Sequence, residues 1–289
     1  MWVWYSLFFA IWGALQTFLV KKLSKRINSL TLLYIFFLFN IPIAFVLLLF
    51  MGGVPETTGK FYAYIGIAGL LDVIAFVCSY RAISRSSISL LAPISSFSPV
   101  FTTIIAAFTI NEIPTPIKFV GILLVVIGAY LLNAADIKGG LLTPFKVLFS
   151  NKSVLLFLLA HFLWGFTPIF QKQAIFETEP QVPLFAAIVG MIFVFLFLTP
   201  FAFKKAIASF SELKMNLKWF VVNGVGTAFS QAAAYAAFSL VYLGYATSVF
   251  RLSILFIIIL GGVFLKEERI KERLLGGGVM VLGTILLAL

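Results

Sequence analysis

A chain of 289 residues in which 62% are hydrophobic and 11% charged carries more apolar surface than a water-soluble domain of its size can hide, so it reads as a polytopic membrane protein. One cysteine, Cys78, excludes an intrachain disulfide, and one histidine, His161, excludes a Cys/His metal cage. The net charge of +11 fits basic loops at one membrane face better than a nucleic-acid surface, and no cofactor or metal is expected.

Ten apolar runs follow in chain order: 2–20, 29–51, 61–83, 87–110, 115–133, 153–173, 181–203, 218–240, 244–265 and 272–289. Each is near the roughly twenty residues that cross hydrocarbon as a helix. The first begins MWVWYSLFFAIWG, with no basic stretch ahead and no small-residue cleavage site behind, so it is expected to be a retained span and not a signal peptide. No soluble domain is expected on either side of the spans, which leaves function to the bundle. Loops one, three, five, seven and nine hold 17 of the 21 lysines and arginines, and the opposite loops hold Lys60, Lys118 and Lys172. The positive-inside rule then puts the odd loops in the cytoplasm and both termini outside the cell membrane.

In span 3, Asp72 is central. Span 4 and its end read LLAPISSFSPVFTTIIAAFTINE (90–112), with Pro93 and Pro99 inside it. Proline lacks the amide donor and crowds the carbonyl one turn earlier. Pro93 therefore leaves the Ser89 carbonyl without its helical partner, and Pro99 that of Ser95. Freed carbonyls are tolerated in a membrane where they face protein or a wet cavity, and serine hydroxyls can re-satisfy them. Span 4 is expected to be kinked and cavity-facing, with Pro93 and Pro99 as a hinge; a static kink packed on its neighbours is the alternative.

His161 lies near the centre of span 6 and Arg251 about a turn from the centre of span 9. Ionisable groups at such depth mark functional sites by default. Arg251 suits a carboxylate or another anion, which its planar fork can grip. Asp72 suits an ammonium group, or a proton exchanged for one. The alternative is an Asp72–Arg251 salt bridge that only neutralises both. His161 reads first as a hydrogen-bonded core group. Trp12, Gln16, Ser95, Ser96, Ser98, Trp164, Thr167, Gln171, Gln231, Tyr235 and Ser253 have the polar or aromatic character of a lining. Trp2, Trp4 and Trp219 fall near span ends, as belt residues do. Glu112 and Glu267 end spans 4 and 9, where they can cap helices or pair with loop cations. Glycines in span 5 (Gly121, Gly128) and span 10 (Gly276, Gly277, Gly278, Gly283) allow close helix contact, within the chain or between subunits.

The two halves repeat. LFFAIWGALQTF (7–18) lies against LLAHFLWGFTPIF (158–170), matching Trp12-Gly13 with Trp164-Gly165. A shift of 155 residues pairs Tyr80 with Tyr235, Glu112 with Glu267, Gly121 with Gly276 and Gly128 with Gly283. Five spans per copy is an odd number, so the copies must be inverted, as in many secondary transporters with midplane sites. The Trp-Gly pairs, the stretch SYRAISRSSISLLAPISSFSPVFTTIIAAFTINEIPTPIKFVGILLVVIGAYLL (79–132) and its second copy YATSVFRLSILFIIILGGVFLKEERIKERLLGGGVMVLGTILLAL (245–289) together resemble the EamA-type family of the drug/metabolite transporter superfamily. The resemblance implies an all-α membrane protein of ten helices: a first five-helix repeat at 1–133, a linker at 134–152 and an inverted second repeat at 153–289. It also implies a central cavity built from spans 1–4 and 6–9, with spans 5 and 10 at the periphery. Span 9 departs from the pattern, since it has no proline and carries Arg251 where span 4 has Ser96. Symmetric gating is therefore not expected.

Enzyme chemistry finds no footing. No serine stands in a strained, glycine-flanked turn near His161, the aspartates are only Asp72 and Asp136, of which Asp136 is in a loop, and no GxxxxGK[ST] phosphate loop occurs. Nothing resembles a ring of filter carbonyls. The expected function is a secondary carrier of small polar metabolites, with amino-acid export first, working by alternating access and proton-coupled if Asp72 titrates. Exchange or uptake of another organic solute, such as a nucleoside, an organic anion or a lipophilic drug, is the alternative, with purely structural buried charges behind it. The expected partners are a small-molecule substrate and the lipid bilayer, the chain acting as a monomer or a weak homodimer through spans 5 and 10.

Overall fold

The computed structural model describes residues 1–50, 53–98, 100, 101, 104, 105, 115–131, 143–208, 214–241 and 243–288. Pro99 and Glu112 lie outside these residues.

Three long helices come first: α1 (Trp2–Leu23), α2 (Ser29–Phe50) and α3 (Gly59–Arg85). A short helix α4 (Ile88–Ile94) and then α5 (Pro116–Leu131) follow. After α6 (Thr143–Ser150), the second copy begins with α7 (Lys152–Leu163) and α8 (Thr167–Phe176). It continues through α9 (Pro183–Ala208) and α10 (Leu217–Leu240). The helices α11 (Leu243–Phe250), α12 (Ser253–Leu265) and α13 (Ile270–Ala288) complete it. Among the described residues, five stretches are long and apolar enough to cross a membrane: Trp2–Leu23, Ser29–Phe50, Gly59–Arg85, Lys152–Phe176 and Pro183–Lys204. Large apolar side chains such as Phe50, Leu123, Val263 and Leu282 stand outward and exposed, which suits lipid and not water.

The packing maps onto itself when the two copies are exchanged. α1 packs on α10, and α7 with α8 packs on α3; α2 meets α9, α4 meets α12, and α5 lies along α13. The glycines show why these helices approach so closely. A Cβ at Gly128 would stand 2.6 Å from the Gly276 carbonyl oxygen, and one at Gly283 would stand 2.7 Å from that of Gly121. Rising position in α5 thus meets falling position in α13, so the two run antiparallel, and each repeat partner makes the other's contact. Gly128 and Gly283 are spent on this contact within the chain, whereas Gly277 faces Ile258 and Ile254 of α12 and a Cβ at Gly278 would meet nothing within 4 Å. Gly69 of α3 against α9 and Gly224 of α10 against α2, 155 residues apart, make a second reciprocal pair.

The loops sort into two groups. Lys21 Nζ donates to the Ser86 carbonyl at 2.6 Å, and Lys22 sits 4.4 Å over the Trp219 ring, so loops one, three and seven share one end. Glu267 joins them. Its carboxylate accepts from the Ile88 amide at 2.8 Å and the Ser89 amide at 3.0 Å, and it also receives the Ser89 hydroxyl and pairs with Arg273 at 3.6 Å. A carboxylate here caps orphan donors at the start of α4, the role expected of it. At the other end, Glu56–Thr57 pair antiparallel with Thr178–Glu179, and Lys172 Nζ donates to the Val241 carbonyl at 3.0 Å.

Among the described residues three spans are interrupted, where one kink was expected. Span 4 breaks at Ser95–Ser96, span 6 at Trp164–Phe166 and span 9 at Arg251–Leu252. All three use the same repair, hydrogen bonds one residue tighter than an α-helix. Ser95 and Ser96 amides donate to Ala92 and Pro93 carbonyls at 3.0 Å, and Ser98 donates to the Ser95 carbonyl at 3.1 Å. Gly165 and Phe166 donate to Phe162 and Leu163, and Leu252 and Ile254 to Val249 and Arg251, all at 3.0 Å. The Ser95 hydroxyl adds a bond to the Ala92 carbonyl at 2.7 Å. Span 9 therefore breaks at the place equivalent to span 4 without any proline. The absence of proline noted for span 9 does not remove the break there. In span 6 the cause is Pro168, which has no amide to give the Trp164 carbonyl.

Candidate functional site

The interrupted spans surround a cavity of about 260 Å³. Its lining comes from α1 to α4 and α7 to α12, together with the turns after α4 and α11; no described residue of α5 or α13 reaches it. Of the residues singled out in the sequence, Asp72, His161, Arg251, Gln16, Trp164, Gln231 and Tyr235 line this cavity, as do Ser95, Ser98, Thr167, Gln171 and Ser253. Pro93 sits in α4, just ahead of the break whose Ser95 faces the cavity.

Trp12 and Ser96, also expected in the lining, stand behind it. The Trp12 ring fills a notch at Gly226, where an added Cβ would come within 2.1 Å of the indole. Its Nε1 donates to Thr227 Oγ1 at 3.1 Å, and Gln16 Nε2 donates to the same hydroxyl at 3.1 Å. Ser96 is fully buried, and its hydroxyl has no partner among the described residues.

The second copy builds the same clamp around a charge. Trp164 Nε1 donates to Asp72 Oδ1 at 3.0 Å, and Gln171 Nε2 donates to Asp72 Oδ2 at 3.1 Å. Asp72 and Thr227 are 155 residues apart, as are Gln16 and Gln171. Trp12 and Gln16 are four residues apart on one unbroken helix, so they share a face. Trp164 and Gln171 are seven apart, because the turn at Trp164–Phe166 adds three residues to the same path. Thr227 was missed in the sequence; applying the 155-residue shift to Asp72 would have found it.

Asp72 and Arg251 do not form a salt bridge. Among the described residues the ion pair is Arg273–Glu267, and Asp72 is held by neutral donors. Among the described residues, Arg251 Nε is buried without a hydrogen-bond partner, and so are both ring nitrogens of His161. The imidazole is 5% exposed and packs edge-on to Phe157 at 4.6 Å and Trp164 at 5.0 Å. It is therefore not the hydrogen-bonded core histidine first expected. Tyr235 closes one side of the cavity and is also buried.

Membrane-length helices, two copies of one packing scheme and a polar cavity among broken spans define a multi-pass membrane protein of two repeats. The EamA-like transporter family matches residues 1–134 and again 151–289, so the chain belongs to that family of the drug/metabolite transporter superfamily, a family of transporters and not of enzymes. An uncharacterized protein of Methanocaldococcus jannaschii is 26% identical over 131 residues, which are 95% of that protein and 45% of this chain. That relative is about one repeat long. A crystal structure that is 13% identical superposes with a TM-score of 0.62 over 99% of this chain and 94% of the other, which speaks for the fold.

Proposed function

We propose that this transporter is a secondary carrier of small polar metabolites that works by alternating access. Its ten spans would form two inverted repeats, with the odd loops in the cytoplasm and both termini outside the cell membrane. The observation that carries the reading is the cavity itself. Three spans break beside it, and buried polar groups line it without pairing off their charges. Buried charge is costly in a membrane interior and persists where a cavity or pathway uses it. The turns at Ser95–Ser96 and Arg251–Leu252 are the hinges of this scheme. The antiparallel meeting of α5 and α13 supports the inversion.

Amino acids are the first cargo to test, outward from the cell, because the cavity holds both an acid and a base. Exchange of a proton at Asp72 would couple that flux. The experiment is counterflow in proteoliposomes loaded with a pool of the twenty amino acids. Saturable exchange supports a carrier. Flux that never saturates and shows no counterflow indicates a channel. The absence of flux from native protein removes amino acids as cargo.

A further inference from the structure

We propose that the cargo is anchored by a carboxylate held between Arg251 and His161, and that an ammonium group on the cargo is not required. The inference rests on the carrier reading and names what the same cavity recognises. Three observations lead to it.

The first is the state of each charged group. The Asp72 carboxylate already accepts from Trp164 and Gln171, one on each oxygen. A cargo ammonium would have to compete with donors built into the protein. Arg251 and His161 have the opposite status: buried nitrogens on both have no partner among the described residues, and both line the same cavity. An unpaired buried donor costs free energy until something accepts from it. A cavity with idle donors and an occupied acceptor is arranged for an anion.

The second observation is an internal control. The repeat counterpart of Arg251 is Ser96, and the counterpart of His161 is Phe9, by the same 152-residue shift that matches Trp12 with Trp164. Span 4 makes the same break with no cation, and span 1 takes the same path with no imidazole. Neither Arg251 nor His161 is therefore needed to build the fold.

The third is the shape of the anion. One guanidinium with one imidazole matches a monoanionic carboxylate in charge and in planar geometry. A phosphate dianion would leave charge uncompensated. The walls beside Arg251 are apolar: Phe250 lies 4.2 Å from Phe9 and 5.8 Å from Phe238, ring centre to ring centre, and Phe157 packs on His161. The cargo class is a small carboxylate with an apolar body.

The test uses full-length protein in detergent and three probes that share one body: 3-phenylpropanoate, phenylalanine and phenethylamine. Binding is followed by thermal shift. We expect both carboxylates to stabilise the native protein, 3-phenylpropanoate at least as well as phenylalanine, with no effect of the amine. The repeat-derived variants Arg251→Ser and His161→Phe should each weaken carboxylate binding, the former by about thirtyfold or more, as for loss of one partner of a buried charged pair. Stabilisation by the amine alone, carboxylate binding unchanged in folded Arg251→Ser, or no response to any probe would overturn the proposal. If a variant does not fold, the carboxylate-over-amine order on native protein still decides. Carboxylate binding without counterflow would sink the carrier reading and leave the site. Counterflow of carboxylates that survives Arg251→Ser would do the reverse.

Discussion

The clamp on Thr227 and the clamp on Asp72 are one device used twice. In each, an indole and a glutamine amide from one span converge on a side chain of a span in the other copy. One holds a hydroxyl and the other a carboxylate. The neutral clamp shows that the architecture stands without a charge, so the charge at Asp72 is an addition to it. The same holds along span 9, where Arg251 occupies the place of Ser96. The first copy thus contributes one buried charge, Asp72, gripped by donors of the second, while the second copy carries His161 and Arg251 where the first has Phe9 and Ser96.

That contrast can be broken in stages. Asp72→Ala should have the largest effect on stability, about 3 kcal/mol, because it strands the Trp164 and Gln171 donors in a buried site. Thr227→Ala, its counterpart, should cost only about 1 kcal/mol; thermal unfolding in detergent compares the two, and equal losses would deny the asymmetry. Gly226→Ala should come next at about 2 kcal/mol, since a methyl group 2.1 Å from the Trp12 ring forces the indole from its notch. A loss of the Trp12 fluorescence environment should accompany it. Glu267→Gln should cost about 1 kcal/mol by weakening the cap on α4 and the Arg273 pair. Hydrogen exchange at the Ile88 and Ser89 amides reads that loss. The smallest effect should follow Pro93→Ala. Span 9 makes the equivalent break without proline, so the turn at Ser95–Ser96 should survive, with stability changed by about 0.5 kcal/mol or less. A straightened, slower transporter would return the hinge to the proline.

Much of this was legible in the sequence, for physical reasons. Span length and apolarity follow from the thickness of hydrocarbon, and the register of Gly128 and Gly283 marks helix contacts that admit no side chain. Gly128 and Gly283 could be paired in sequence because each meets backbone in space. The depth of Asp72, His161 and Arg251 was readable from their places in the spans. The rotation of each helix was not. Trp12 looks like a lining residue until the notch at Gly226 is seen, and Asp72 looks like a partner for Arg251 until Trp164 and Gln171 are found on its oxygens. The break in span 9 has no local signature either, since tight-turn hydrogen bonds can form over ordinary residues when neighbouring helices hold the ends.

The most direct test of the division between the copies is counterflow in proteoliposomes by native protein, Arg251→Ser and Ser96→Ala, at equal amounts of folded protein. Saturable flux that falls at least about tenfold in Arg251→Ser and stays near native in Ser96→Ala is the predicted result. Flux in Arg251→Ser equal to native would contradict the account and return the buried charges to the scaffold.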